Sequence, residues 1–306
     1  MARSGARFDY VTVGHVTRDV IEDGTLSQPG GSAFYSALQA ARLGLRTLIV
    51  TQGIPSEIEA LLAPYLAELE LLVIPAEHTT VLATSTAGPN RTQRMLAWAG
   101  SIVEPIELDT AILHIAPVAR ETPVSWQGLA GFVGITPQGL VRRWEQAERA
   151  PLLQRDTGSL LGYTPLTPPD SDLLLGDISS VELDPRLLPA SFDAAVISEE
   201  ECHNCHALFS AARRSGAHVA VTAGSRPTTV HPPASVGGQV VQTAIPPIVA
   251  VCDDIGAGDV FAAAFFVALA DGRAPLEAAA FGNAAAAIRI AGVGPGAIAR
   301  RAAIIP

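Results

Sequence analysis

The chain has 306 residues, enough to bury a sizeable core as one α/β domain or as two smaller ones. Hydrophobic residues make up 48% and charged residues 16%, which excludes a disordered chain. The 20 basic residues against 30 acidic ones leave a formal charge of −10, which argues against nucleic acid or an anionic membrane surface as a partner.

Every basic residue is Arg; the chain contains no Lys. That removes a Walker-type phosphate lysine, a protein-kinase strand lysine and a Schiff-base lysine. Any phosphate has to be held by Arg, by backbone N–H groups or through a metal. The longest apolar run, Val260 to Ala270, is about half of the roughly 20 residues a membrane span needs, so no membrane helix is expected. Met1 to Asp9 is polar, with no apolar h-region, and a cytoplasmic protein is expected.

Short β-branched or apolar runs recur along the chain: Tyr10 to Val13, Arg46 to Thr51, Leu71 to Ile74, Ala111 to Ala116, Phe132 to Ile135, Ala194 to Ile197 and His218 to Thr222. Stretches of helical length lie between several of them, Ser32 to Leu43, Glu57 to Leu69 and Glu200 to Arg214. Buried strands alternating with helices predict a mostly parallel sheet covered on both faces. Two stretches break the rhythm. Thr79 to Ala99 reads as paired strands joined at the turn Ala87-Gly88-Pro89-Asn90-Arg91, and with Val16 to Leu26 it predicts a small separate sheet. Gln154 to Pro189, rich in Pro, Asp and Leu, fits no regular element.

Three cysteines stand at 202, 205 and 252, too few for a disulfide framework. Cys202-His203-Asn204-Cys205-His206 matches the c-type haem attachment pattern, but it also reads as the start of the helix running to Arg214.

The segment Asp253-Asp254-Ile255-Gly256-Ala257-Gly258-Asp259 opens an Ala-rich helix. A Gly-Ala-Gly turn at a helix start leaves backbone N–H groups unpaired, and its small residues let an anion approach them closely. Asp259 falls in the first turn, where the helix dipole is expected to keep it ionised. A carboxylate base beside an anion cradle is what phosphoryl transfer to an alcohol requires. Taken alone, the same residues also read as a turn and a helix cap.

Asp253-x-x-Gly256-Ala257-Gly258-Asp259 resembles the C-terminal signature of the PfkB (ribokinase-like) carbohydrate kinase family. Gly30-Gly31-Ser32-Ala33-Phe34-Tyr35-Ser36-Ala37, ending in Arg42-Leu43-Gly44, is similar to that family's N-terminal Gly-Gly motif. Gly14 to Asp19, Thr222-Ala223-Gly224 and Asn283 fall between or around them in the family's order. The resemblance implies one domain over 1–306, a ribokinase-like three-layer α/β/α sandwich with a mostly parallel sheet of about eight strands. It also implies a small β-sheet lid from approximately 16–28 and 79–99, through which several family members form a homodimer.

The activity implied is transfer of the ATP γ-phosphoryl group to a hydroxyl of a small sugar, a polyol or a nucleoside. Gly14 to Asp19 and Thr136-Pro137-Gln138-Gly139 look most like the myo-inositol kinase subgroup. A catalytically inactive sugar- or nucleotide-binding regulator on the same fold is the alternative. By resemblance, Asp259 is the base and Gly256, Ala257 and Gly258 form the anion hole. Asp19, Gly30 and Gly31 bind substrate, with Tyr35 standing where the family commonly has Asn. Arg91 and Arg94 could reach over the site from the lid. Thr222, Gly224 and Ser225 flank ATP, with Asn283 near its adenine or ribose. Glu201, in a variant of the family's Asn-x-x-Glu motif, would reach hydrated Mg²⁺. Asp253 matches the residue associated with a K⁺ site.

Overall fold

The computed structural model describes residues 8–21, 27–84, 92–103, 107–144, 176–233, 239–244, 246 and 250–305. The turn 87–91 with Arg91, residues 22–26 of the expected lid and 154–175 of the unassigned segment lie outside the described residues.

Nine strands form the main sheet: β1 (Phe8–Val13), β4 (Thr47–Gly53), β5 (Glu70–Pro75), β8 (Glu107–Ile115), β9 (Gln127–Ile135), β12 (Ala194–Ser198), β13 (His218–Ala223), β14 (Arg226–His231) and β15 (Val241–Thr243). Their spatial order is β15-β14-β13-β12-β9-β8-β1-β4-β5. Every pairing from β5 to β13 is parallel, and β14 and β15 add antiparallel strands at one edge. The expected sheet is therefore present, with one strand more than anticipated.

The period-2 alternation of these strands builds two cores. Tyr10, Ile49, Ile112, Val196 and Ala220 point to one face, where the helices Ser32–Arg42, Ala257–Ala270 and Pro275–Ile290 cover them. Val11, Leu48, Val50, Leu113, Ile115, Ala195 and Ile197 point to the other, against Leu208, Ala211 and Ala212 of the helix His206–Ser215. This is the three-layer arrangement that both-face burial requires. In the helix Ala257–Ala270 every residue from Val260 to Ala268 is buried, and its alanines let neighbouring backbones close in. Phe261, Phe265 and Phe266 are each at most 2% exposed, and each contributes about 1.5–3 kcal/mol by burial. Gly134 makes room for one of them: a Cβ there would stand 2.4 Å from the Phe266 ring.

Six further strands form a smaller sheet: β2 (Thr17–Ile21), β3 (Ser27–Gly30), β6 (Val81–Thr84), β7 (Gln93–Ala97), β10 (Arg142–Trp144) and β11 (Gly176–Ser180). The first four match the expected separate sheet. The last two were not expected, because β10 is three residues long and β11 lies in a segment without periodicity. They are held by pairing, β10 on β11 and β11 on β7, and by Trp144 packing at a tilt against Trp98, ring centroids 6.1 Å apart.

Two helices differ from their expected extent. Glu57 to Leu69 is a helix from Pro55 to Leu62 followed by a 3₁₀ turn over Ala63–Tyr65, where Pro64 cannot donate to a continuing α-helical ladder. Glu200 to Arg214 divides into a 3₁₀ turn, Glu199–Asn204, and the α-helix His206–Ser215. Cys205 at the join is fully buried, and burial, with Glu201, Cys202 and Glu182 adding to it, pushes its thiol up to about 12. A haem thioether needs that sulfur at the surface, so the Cys-x-x-Cys-His match is a core feature here.

Candidate active site

The turn before the helix Ala257–Ala270 is tightly specified. Gly256 is its N-cap at φ 74°, in the left-handed region, and a Cβ there would lie 2.2 Å from the Tyr35 ring. The Ala257 N–H turns back to the Asp254 carbonyl at 3.1 Å. The N–H groups of Gly258 and Asp259 follow in the first helical turn, where helix geometry provides no acceptor, and Gly258 borders open space. The cradle is thus carried by Gly258 and Asp259 more than by Ala257.

Asp259 does not follow the dipole expectation. Burial drives its pKa from 3.8 up to about 6, with Glu201 and Asp19 adding to the rise, against the Ser32 hydroxyl bonded to it and the Arg142 guanidinium. Desolvation outweighs the helix dipole, which is worth at most about 2 kcal/mol. The result is a carboxylate poised near neutrality, as a general base should be. Ser32, from the Gly-Gly-Ser motif, therefore acts on the Asp259 carboxylate directly, and Ser36 donates to the Asp259 backbone carbonyl at 3.3 Å.

Asp19 lies on β2 of the smaller sheet, within the stretch expected to form it, opposite Gln28 of β3. The Thr17 hydroxyl donates to it at 2.6 Å. Gly30 makes space for it, since a Cβ at Gly30 would fall 2.2 Å from a carboxylate oxygen of Asp19. Gly31, at φ 94°, brings the chain equally close to the His15 carbonyl. The double glycine is thus required by the fold on both counts. Gly30→Ala should displace the Asp19 carboxylate, raise the acceptor KM by about tenfold or more and, because the Asp19 charge adds to the rise of the Asp259 pKa, move the acid limb of the rate profile slightly to lower pH. Steady-state kinetics over pH would check this.

Arg142, on β10, is the site residue that sequence reading missed. Burial lowers its pKa, and Glu201, Asp19, Asp259 and Glu121 hold it up, in that order of strength. The guanidinium thus stands among the acids of the site. It donates to the Val118 carbonyl at 3.1 Å and to the Gln93 side chain at 3.0 Å. The loop carrying Val118 is pinned by Glu121, whose fully buried carboxylate accepts the backbone N–H groups of His15, Val118 and Ala119 at 2.6–3.1 Å. The available signal was position: Arg142 follows Thr136-Pro137-Gln138-Gly139 by three residues.

At the carboxyl end of the parallel sheet, Ser198 of β12 lies opposite Thr222 of β13. Ser198 and Glu201 form a capping box, Glu201 accepting the Ser198 N–H at 3.1 Å. Thr222 donates to the Ile197 carbonyl at 3.3 Å. Gly224 and Ser225 make a two-residue hairpin turn, with Gly224 at φ 60° bordering open space and Arg226 paired to Glu199 beyond it.

Four expected site residues are otherwise engaged. Asn283 is 6% exposed, accepts from the Thr228 hydroxyl and donates to the Ala244 carbonyl, so its amide ties β14 and the residue after β15 to the helix Pro275–Ile290. Tyr35 is 1% exposed because its position on the helix Ser32–Arg42 faces the core; its ring supports Gly256. Arg94 pairs with Asp177 across β7 and β11 at 3.1 Å. Asp253 accepts from Arg289, Ile255 and Gly294, and although burial opposes it these donors hold its carboxyl below the usual pKa. Both oxygens already have donors, one of them the Arg289 guanidinium, whose positive charge stands against the carboxylate that the expected K⁺ would use.

Residues 189–301 match the pfkB family carbohydrate kinase model. No curated protein sequence matches the chain. Ribokinase of Arabidopsis thaliana, complexed with ribose and ATP, is similar at a TM-score of 0.64 and 18% identity, over 98% of each chain. A pyrophosphate-dependent kinase in the ribokinase family, complexed with a pyrophosphate analogue and myo-inositol, gives 0.63 and 16% identity over 92% of this chain and 94% of the other. Ribokinase of Thermotoga maritima gives 0.62 and 17% identity over 97% and 98%. Among the described residues no helix is long and apolar enough to cross a membrane. The chain thus has a ribokinase-like fold over nearly its whole length, and the part similar to the pfkB carbohydrate kinase model, residues 189–301, contains the turn from Gly256 to Asp259.

Proposed function

We propose that the protein transfers the γ-phosphoryl group of ATP to a hydroxyl of a small sugar, a polyol of the myo-inositol kind or a nucleoside. The observation that carries this reading is Asp259, a carboxylate tuned to about 6 in the first turn of a helix and surrounded by Ser32, Arg142, Glu201 and Asp19. Asp19 and the Gly30-Gly31 backbone bind the acceptor hydroxyls. Asp259 takes the proton of the attacking hydroxyl as its oxygen bonds to phosphorus and the bond to the ADP oxygen breaks. The N–H groups of Gly258 and Asp259 and the Arg142 guanidinium receive the charge on the transferring group.

Four carboxylates, Glu201, Asp19, Asp259 and Glu121, act on the one Arg142 guanidinium, so an anionic donor would be repelled unless accompanied by a divalent cation. Glu201 is the residue to hold hydrated Mg²⁺, which supplies charge neutralisation on the donor phosphates. Thr222, Gly224 and Ser225 border the donor from the sheet edge. The inactive-regulator reading is opposed by Asp259: binding alone gains nothing from a carboxylate held near neutrality.

The test is ADP release from Mg-ATP over a panel of myo-inositol, fructose, ribose, adenosine and cytidine, with pyrophosphate as a second donor. One acceptor with turnover that requires Asp259 supports the reading. Turnover with pyrophosphate and none with ATP would overturn the donor assignment. Binding of an acceptor and ATP with no transfer would overturn the kinase reading in favour of a regulator.

A further inference from the structure

Beneath the anion turn lies a small cage of oxygens. Its members are the Asp253 carboxylate, the Asp253 carbonyl and the Gly292 carbonyl, an all-oxygen donor set of the kind that suits a hard cation. The side chain of Arg289, fully buried near the end of the helix Pro275–Ile290, occupies it. One terminal nitrogen donates to the Asp253 and Gly292 carbonyls at 3.2 and 3.1 Å, and the other to the carboxylate at 2.6 Å. The guanidinium carbon stands 5.6 Å from the centroid of Tyr35, the ring on which Gly256 rests. The surrounding backbone closes on the same point: Gly294 N–H donates to Asp253, and the N–H groups of Cys252 and Asp253 share the Ile290 carbonyl.

We propose that Arg289 is a built-in cation that takes the place of a monovalent metal ion, so that the anion turn is ordered without K⁺. A planar guanidinium reaches two carbonyls and a carboxylate at once, which a single lysine ammonium on a flexible stem would do less rigidly. Its charge already balances the one carboxylate, so a metal ion entering the cage would have to displace a donor and add an unmatched charge. Arg289 acts through the Asp253 to Gly256 turn and is a positioning residue. Its consequence for rate rests on the kinase reading, whereas its consequence for stability does not.

Thermal unfolding of the full chain is compared in KCl, RbCl and tetramethylammonium chloride at one ionic strength, and initial rates are taken in the same salts. The wild type should show the same Tm and rate in all three. Arg289→Ala should lose stability in tetramethylammonium and recover part of it selectively in K⁺ or with millimolar guanidinium, with rate loss of about tenfold recovered in parallel. If Arg289→Ala does not fold, Arg289→Lys keeps a cation in the cage and should be as insensitive to K⁺ as the wild type. A K⁺-selective rise in wild-type Tm or rate would overturn the proposal. So would an Arg289→Ala protein that responds to neither K⁺ nor guanidinium, or an Arg289→Lys protein that becomes K⁺-dependent.

Discussion

Asp259→Asn should lower kcat by about 10²–10⁴-fold and at the same time raise thermal stability. The rate falls because the amide cannot accept the acceptor's proton. Stability rises because the folded protein, at neutral pH, keeps ionised a carboxylate whose pKa burial has driven from 3.8 to about 6. Such a group binds its proton more tightly folded than unfolded. It therefore detracts from stability above pH 6, and the loss is recovered as pH falls through 6 toward 4. The shift corresponds to about 3 kcal/mol at pH 7 to 8, vanishing below the unfolded pKa. Calorimetry of both proteins between pH 4 and 8 would show converging Tm values at the acid end. An Asn variant with unchanged stability at pH 8 would mean that Asp259 is not strained, and wild-type kcat should lose activity below about pH 6 by the same titration.

Arg142→Ala should cost about 10²–10³ in kcat/KM and move the acid limb of the rate profile to higher pH. Arg142 is, after the Ser32 hydroxyl, what holds the Asp259 pKa down, while Glu201 and Asp19 push it up. Removing the guanidinium leaves the charges of Glu201 and Asp19 opposed by less, and Asp259 then protonates at a higher pH. Arg142→Lys should restore the position of the limb better than the rate, since an ammonium keeps the charge and loses the fork that meets phosphate oxygens in pairs. A purely structural arginine would lower the amount of folded protein without moving the limb, so the pH profile separates the two roles.

The turn at the start of the helix Ala257–Ala270 was legible in the chain because it is local: Gly256 to Asp259 are contiguous, although alone they read equally as a helix cap. The layered sheet was legible for a related reason. Fully buried parallel strands must be continuously apolar, and Tyr10 to Val13 or Ala194 to Ile197 show it within a few residues. Partnerships between distant segments were not legible. Arg142 lies on a strand of three residues that exists only by pairing with β11, and its tie to Gln93 spans 49 positions. Arg289 reads as one more residue of an Ala-rich helix until the Asp253 to Gly256 turn is folded against it. Tyr35 and Asn283 sit in motif positions, yet tertiary packing turns Tyr35 under Gly256 and binds Asn283 to Thr228. Even the acidity of Asp259 was decided this way. Its place at a helix start favours ionisation, but desolvation by the layers around it is the larger effect, and desolvation depends on what the rest of the chain brings near.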